Sequence, residues 1–261
     1  MPTITLDDLS IHYEHKKADT DSKSKKVLYI HGTGCNSSVF IPHMELMQAS
    51  RETIAIDLPG HGRSSGKGFR GVADHAHICS ELITAIGWTD CAVAGHSLGG
   101  GVALALALIY PEQVSELIMI DSGARLRVNP TTINLAKART KGQVTDEPNS
   151  RVGFAKAASP SLVARTNRLM IDCDPNVILR DWIADDTCDF MARVKDICIP
   201  TLAICGLEDE LTPVKYSEYL TKTMSNCMLK IIEDAGHWTF LEQPQVFFDH
   251  IDGWLSQIDK S

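Results

Sequence analysis

Aromatic residues make up only 6% of this chain, and no apolar run is long enough to cross a bilayer. The longest such stretch, Leu98 to Tyr110, is interrupted by glycines and reads as a core helix, so no membrane partner is expected. Basic charge is also scarce: 25 Lys and Arg stand against 33 Asp and Glu, a formal net charge of −8. Neutralising phosphates takes a basic surface that this chain does not supply, which argues against a nucleic-acid partner. Residues Met1 to Asp8 carry neither a basic segment nor an apolar stretch of signal length, so a cytoplasmic rather than secreted protein is expected. Eight cysteines are present, but none forms C-x-x-C, and free thiols in a reducing compartment are the simplest reading. Cys91 and Cys205 fall inside apolar runs and read as small buried hydrophobes, whereas Cys35 lies in a glycine-rich loop close to the proposed chemistry. His75 and His77, the one close histidine pair, are two positions apart on a predicted helix and so face different ways, which leaves a metal site without support. The glycine-rich tract Gly60 to Gly68 lacks the phosphate-loop spacing and opens no helix, so no nucleotide cofactor is expected.

What is present is a core-forming alternation. At 261 residues and 44% hydrophobic, the chain can bury one sizeable core. Residues 3 to 14 read as a hairpin turning at Asp7-Asp8, and the polar stretch 15 to 26 reads as a solvated loop. Apolar strands are then predicted at 27–30, 53–56, 91–94, 117–120, 201–205 and 228–232, with helices near 38–49, 73–86, 97–109, 213–224 and 244–258. Such alternation predicts an α/β fold, a mostly parallel sheet covered by helices on both faces. The pattern breaks between 124 and 195, where only helical stretches appear, at 131–139, 151–158, 161–171 and 176–185, with Pro148, Pro160 and Pro175 at or near helix starts. Too long for a plain loop, this segment reads as a helical cap insertion, leaving 1–123 and 196–261 as the core.

Gly95-His96-Ser97-Leu98-Gly99 joins the strand at 91 to the helix at 97. A G-x-S-x-G between strand and helix forces a strained turn that lifts the serine hydroxyl above the sheet edge, and the following amide, of Leu98, points where an oxyanion would form. His31-Gly32-Thr33-Gly34 follows another strand, and its glycines let the Thr33 amide face the serine as a second donor. A serine hydroxyl needs an adjacent base. His237, in Asp234-Ala235-Gly236-His237-Trp238 just past the last predicted strand, returns to the same sheet edge. His12, His15, His43, His61, His75, His77 and His250 read as solvated or packed, and His31 and His96 as neighbours that set local geometry. For the carboxylate that orients the base, Gly206-Leu207-Glu208-Asp209 favours Asp209; Glu208 and Glu210 are expected to face solvent, and Asp121, after the strand at 117, is the rival.

These motifs, together with Asp57 to Ser64 and Gly236 to Pro244, resemble those of the α/β-hydrolase superfamily, over nearly the whole chain except the cap. The resemblance implies a Ser97, Asp209 and His237 triad with Thr33 and Leu98 as oxyanion amides, a structural turn at Asp57 to Ser64, and no cofactor. Epoxide hydrolases and haloalkane dehalogenases of this fold carry aspartate at the elbow, so Ser97 argues against both. The expected activity is hydrolysis of a small carboxylic ester or lactone through an acyl-enzyme. Carbon–carbon bond hydrolysis of an enol or diketone is the alternative, and a ligand receptor keeping the hydrolase shell is a third. Between 124 and 170, nine basic residues stand against two acidic ones, Asp146 and Glu147. That tract reads as the solvated faces of cap helices, with steering of an anionic substrate as the competing reading.

Overall fold

The computed structural model describes residues 2–19, 26–144 and 150–260. Its eight strands are β1 (Thr3–Leu6), β2 (Leu9–Lys16), β3 (Val27–Ile30), β4 (Thr53–Ile56), β5 (Cys91–His96), β6 (Val114–Ile120), β7 (Thr201–Gly206) and β8 (Cys227–Ile232). They form one sheet in the order β1-β2-β4-β3-β5-β6-β7-β8, in which β2 runs antiparallel to β1 and β4 and all other pairs are parallel. The hairpin turns at Asp7 and Asp8, both at positive φ (45° and 63°), as a tight two-residue connection requires.

Continuous apolar strands suit a sheet buried on both sides, and the residues divide by parity. Tyr29, Ala92, Ala94, Ile118, Leu202 and Ile204 pack on one face, against α1 (Ile41–Met47) and α9 (Pro244–Ile258). Leu28, Ile30, Val93, Leu117, Met119 and Ala203 pack on the other, against α2 (Val72–Ala85) and α3 (Leu98–Ile109). Apolar around its whole circumference, α3 is correspondingly almost wholly buried. Between β6 and β7 lie α4 (Pro130–Arg139), α5 (Pro160–Asp172) and α6 (Pro175–Thr187). Each opens on a proline behind a side-chain cap: Asn129, Ser159 and Asp174 accept from the amides of Thr131, Leu162 and Asn176. Two further helices are α7 (Lys215–Thr223) and α8 (Thr239–Glu242).

The structure departs from the sequence reading in several places. β2 runs on to Lys16, because backbone pairing with β4 (His15 with Ile54, Lys16 with Thr53) holds polar residues in a strand; 20–25 of the expected loop, and Pro148, lie outside the described residues. The expected helix at 38–49 begins as a tighter turn at Ser37–Phe40 before α1. The expected helix at 151–158 does not form. Gly153 sits at φ +82°, its carbonyl accepts from the His237 amide at 2.6 Å, and the Arg151 guanidinium donates to the carbonyls of Ala155, Lys156 and Ala158. Those bonds satisfy backbone groups that a helix would otherwise pair.

Candidate active site

Parallel strands place their carboxyl ends along one edge, and the loops leaving β3, β5, β6, β7 and β8 meet there. Ser97, between β5 and α3, has φ 53° and ψ −118°, a conformation costing about 1–3 kcal/mol and held by its surroundings. Its amide donates to the Ile120 carbonyl (3.0 Å), and its carbonyl accepts from Ser122 Oγ (2.8 Å) and the Gly100 amide (2.9 Å). The motif glycines are required by close approach: a Cβ on Gly95 would overlap the Gly99 carbonyl, and one on Gly99 the Ile30 carbonyl. The buried side chain of Leu98 packs in the core while its amide opens α3, whose dipole favours negative charge at that end.

His237 and Asp209 meet directly. His237 Nδ1 donates to Asp209 Oδ2 at 2.9 Å, and Thr212 Oγ1 donates to the same oxygen at 2.7 Å. Asp209 Oδ1 accepts the amides of Leu211 and Thr212, at 2.8 and 2.9 Å. Burial opposes ionisation of Asp209, but the His237 charge and the bonds from His237 and Thr212 outweigh it and bring its pKa down to about 2. Burial likewise opposes charging His237, and Asp209 outweighs it, so the imidazole is raised above its ordinary value. His96 Nε2 donates to the His237 carbonyl at 2.8 Å, and burial keeps the His96 ring neutral, with a pKa of about 3.

The rival acid is engaged elsewhere. Asp121 Oδ1 accepts from the Gly206 amide (3.0 Å), and Oδ2 from the hydroxyl and amide of Thr239 (2.7 and 3.2 Å). Burial and the nearby Asp209 push its pKa up to about 7. With Cys205 and Asp209 it forms the one cluster of metal-compatible donors among the described residues. Every carboxylate oxygen of that cluster already accepts an N–H or O–H, and burial raises the Cys205 thiol, so the donors do not fit a cation. Glu210 is exposed as expected, whereas half-buried Glu208 accepts the Lys156 amide at 3.1 Å.

Thr33, Ser97 and His237 line one cavity of about 460 Å³, and the helices between β6 and β7 supply much of its wall. Thr132, Leu135 and Arg139 share one face of α4, Asn167, Met170 and Ile171 one face of α5, and Trp182 comes from α6. A hollow of about 510 Å³ beside Ser159 and Arg165 contains neither Ser97 nor His237 in its lining. Cys35 is buried in the core and does not line the cavity, and no cysteine is in a disulfide. His75 is buried and His77 exposed, on opposite faces of α2 as their spacing implies. The Asp57 turn is structural, with Asp57 accepting the amides of Ser37 (2.7 Å) and Arg63 (2.8 Å).

Sequence reasoning missed three polar residues around the site. Glu242 accepts the amides of Gly236, Trp238 and Ala155, fixing the His237 loop. Asp181 and Asp185 of α6 accept from Gly34 N and Thr33 Oγ1. The available signal for that pair was two carboxylates on the same helical stripe as Val177, Ile178 and Ala184.

Among the described residues, no helix is long and apolar enough to cross a membrane. Curated relatives include the pimeloyl-[acyl-carrier protein] methyl ester esterase of Neisseria meningitidis serogroup A, 28% identical over 251 residues, 89% of this chain and 78% of that protein. Among solved structures, a thermophilic esterase superposes with a TM-score of 0.83 at 29% identity, covering 98% of this chain and 97% of that one. The enol-lactonase of Burkholderia xenovorans LB400 shares the fold at a TM-score of 0.89 and 16% identity, over 98% of this chain and 100% of that one. A family model described as the alpha/beta hydrolase family matches residues 27–250, and the chain belongs to that family.

Proposed function

We propose that this protein is a serine hydrolase that cleaves a small carboxylic ester or lactone through an acyl-enzyme. The observation that carries the reading is the His237 to Asp209 bond at the wall of the cavity into which the strained Ser97 turn opens. In the proposed reaction Ser97 Oγ attacks the carbonyl carbon while His237 Nε2 takes its proton. The resulting oxyanion accepts the amides of Leu98 and Thr33. His237 then returns the proton to the leaving oxygen, and a water activated by the same imidazole repeats the sequence on the acyl-enzyme. Apart from substrate and water, the steps use side chains and amides of this chain.

The insertion 124–195 acts in this reading as a cap over the 1–123 and 196–261 core, since three of its helices wall the cavity. Trp182, Trp238, Leu135, Met170 and Leu211 suit a hydrocarbon group, and Arg139 adds one guanidinium. The eight cysteines without disulfides suit a reducing, cytoplasmic setting.

The test is labelling by a fluorophosphonate together with turnover of p-nitrophenyl esters, lactones and vinylogous diketones. Ser97→Ala and His237→Ala should each lower kcat by on the order of 10⁶ while the protein stays folded, and label should sit on Ser97 alone. Label that persists in Ser97→Ala ends the assignment; turnover of the diketones alone moves the activity to carbon–carbon cleavage.

A further inference from the structure

The loop that carries the Thr33 amide is a turn closed by a backbone bond from the Cys35 amide to the Gly32 carbonyl, at 3.1 Å. Gly34 lies at φ +66°, and glycines flank Thr33 on both sides, so the chain has the freedom to turn that amide away. Two side chains of α6 add to that hold. Asp181 and Asp185 stand one turn apart on α6 and are 0% and 3% exposed. Thr33 Oγ1 donates to Asp185 Oδ2 at 2.8 Å, and the Gly34 amide donates to Asp181 Oδ2 at 2.9 Å.

Two carboxylates at this spacing in an apolar stripe repel each other and lose hydration, so the arrangement needs compensation. His61 supplies it for Asp181. Its Nε2 lies 2.8 Å from Asp181 Oδ2 and its Nδ1 3.2 Å from the Pro59 carbonyl, so both ring nitrogens face acceptors, an arrangement that an imidazolium satisfies. Burial disfavours that imidazolium, but Asp181 outweighs it and raises the His61 pKa. The second support is His31, whose Nε2 accepts the Leu58 amide at 3.0 Å and ties the start of the loop to the same turn. Seating a helix on a core does not require this machinery, since apolar residues replace a buried ion pair at little or no cost in stability. Here the carboxylate oxygens are directed at the residue whose amide the proposed mechanism uses and at the amide beside it.

We propose that Asp185, anchored beside Asp181 and His61, is a positioning residue that acts through Thr33 to aim the oxyanion amide. The insertion then contributes to transition-state stabilisation as well as walling the cavity. The inference rests on the acyl-enzyme reading of Ser97.

The experiment compares wild type with Asp185→Ala, Thr33→Val, Thr33→Ser and the Asp185→Ala/Thr33→Val pair. Each is assayed for kcat and KM on a p-nitrophenyl ester and for inhibition by an alkyl boronic acid, whose tetrahedral adduct puts a negative oxygen at the oxyanion position. Asp185→Ala and Thr33→Val should each lower kcat by about 10- to 100-fold with KM within about threefold, because an aimed donor is lost without loss of substrate contact. Boronate inhibition should weaken in parallel, Thr33→Ser should stay close to wild type, and the double variant should be little worse than either single one. Unchanged kcat in a folded Asp185→Ala protein, or kcat loss without weaker boronate inhibition, overturns the proposal. If Asp185→Ala does not fold, Thr33→Val removes the same bond from the loop side and decides the matter. Failure of the reading beneath it has a different signature: wild type that takes no fluorophosphonate label.

Discussion

Replacing Asp209 by Asn separates the role of its charge from the role of its shape. The carbonyl of the substituted amide can keep the two bonds that Oδ1 accepts from Leu211 and Thr212, so the loop has reason to stay in place. Its NH2 then stands where Oδ2 stood, 2.9 Å from His237 Nδ1, and it presents a proton to a nitrogen that itself carries one. The imidazole resolves the clash by moving its proton to Nε2, the atom that must accept from Ser97. Folding loses both charge-assisted bonds to Oδ2, from His237 Nδ1 and Thr212 Oγ1, at about 1.5–3 kcal/mol each. Catalysis loses the correct tautomer, which in serine triads costs roughly 10⁴ in kcat, or about 5.4 kcal/mol in the barrier. Steady-state kinetics on a p-nitrophenyl ester should therefore show the loss in kcat with KM little changed. Asp121→Asn is the control. It disturbs the acceptors of Gly206 and Thr239, so it should lower Tm while leaving kcat within a few-fold. Asp209→Asn within tenfold of wild type, or Asp121→Asn carrying the kcat loss, would refute the assignment of the acid.

Two further outcomes follow from the same geometry. His237 has a raised pKa and works as a base only when neutral, so kcat/KM should fall as pH drops through a midpoint above about 6.5, the ordinary histidine value; a pH profile with its acid limb below that value contradicts the Asp209 pairing. Arg139 is the one lining residue of the cavity, histidines aside, that carries a full charge among those described. If it and the basic tract draw an anion, kcat/KM for a p-nitrophenyl hemiester should fall with ionic strength while a neutral ester of equal size responds little, and Arg139→Met should lessen the difference. Equal salt responses leave the tract as surface.

Local patterns announced most of the core. Continuous apolar tetrads such as Val27 to Ile30 specify strands buried on two sides, and glycines at 95 and 99 around Ser97 specify a turn with no room for a Cβ. Both signals reside within a few consecutive residues, which is why the type of the central elements and their order along the chain were legible. Asp209 and His237 were legible for the same reason, each following an apolar strand whose end must reach the common edge. The bond between them, 28 positions apart, was not. Residues 151–158 carry helix-compatible composition, yet long-range bonds from His237 and a left-handed Gly153 decide their path. Asp181 and Asp185 were invisible as parts of the site because their partners, Thr33, Gly34 and His61, are 120 or more residues away in the chain. The sequence alone thus determined the chemistry-bearing motifs and the sheet, since those depend on neighbours along the chain. Only the tertiary structure decided which carboxylate pairs with His237 and which helix holds the Thr33–Gly34 turn, because a buried charge acquires its partners from whatever the fold brings within hydrogen-bond distance.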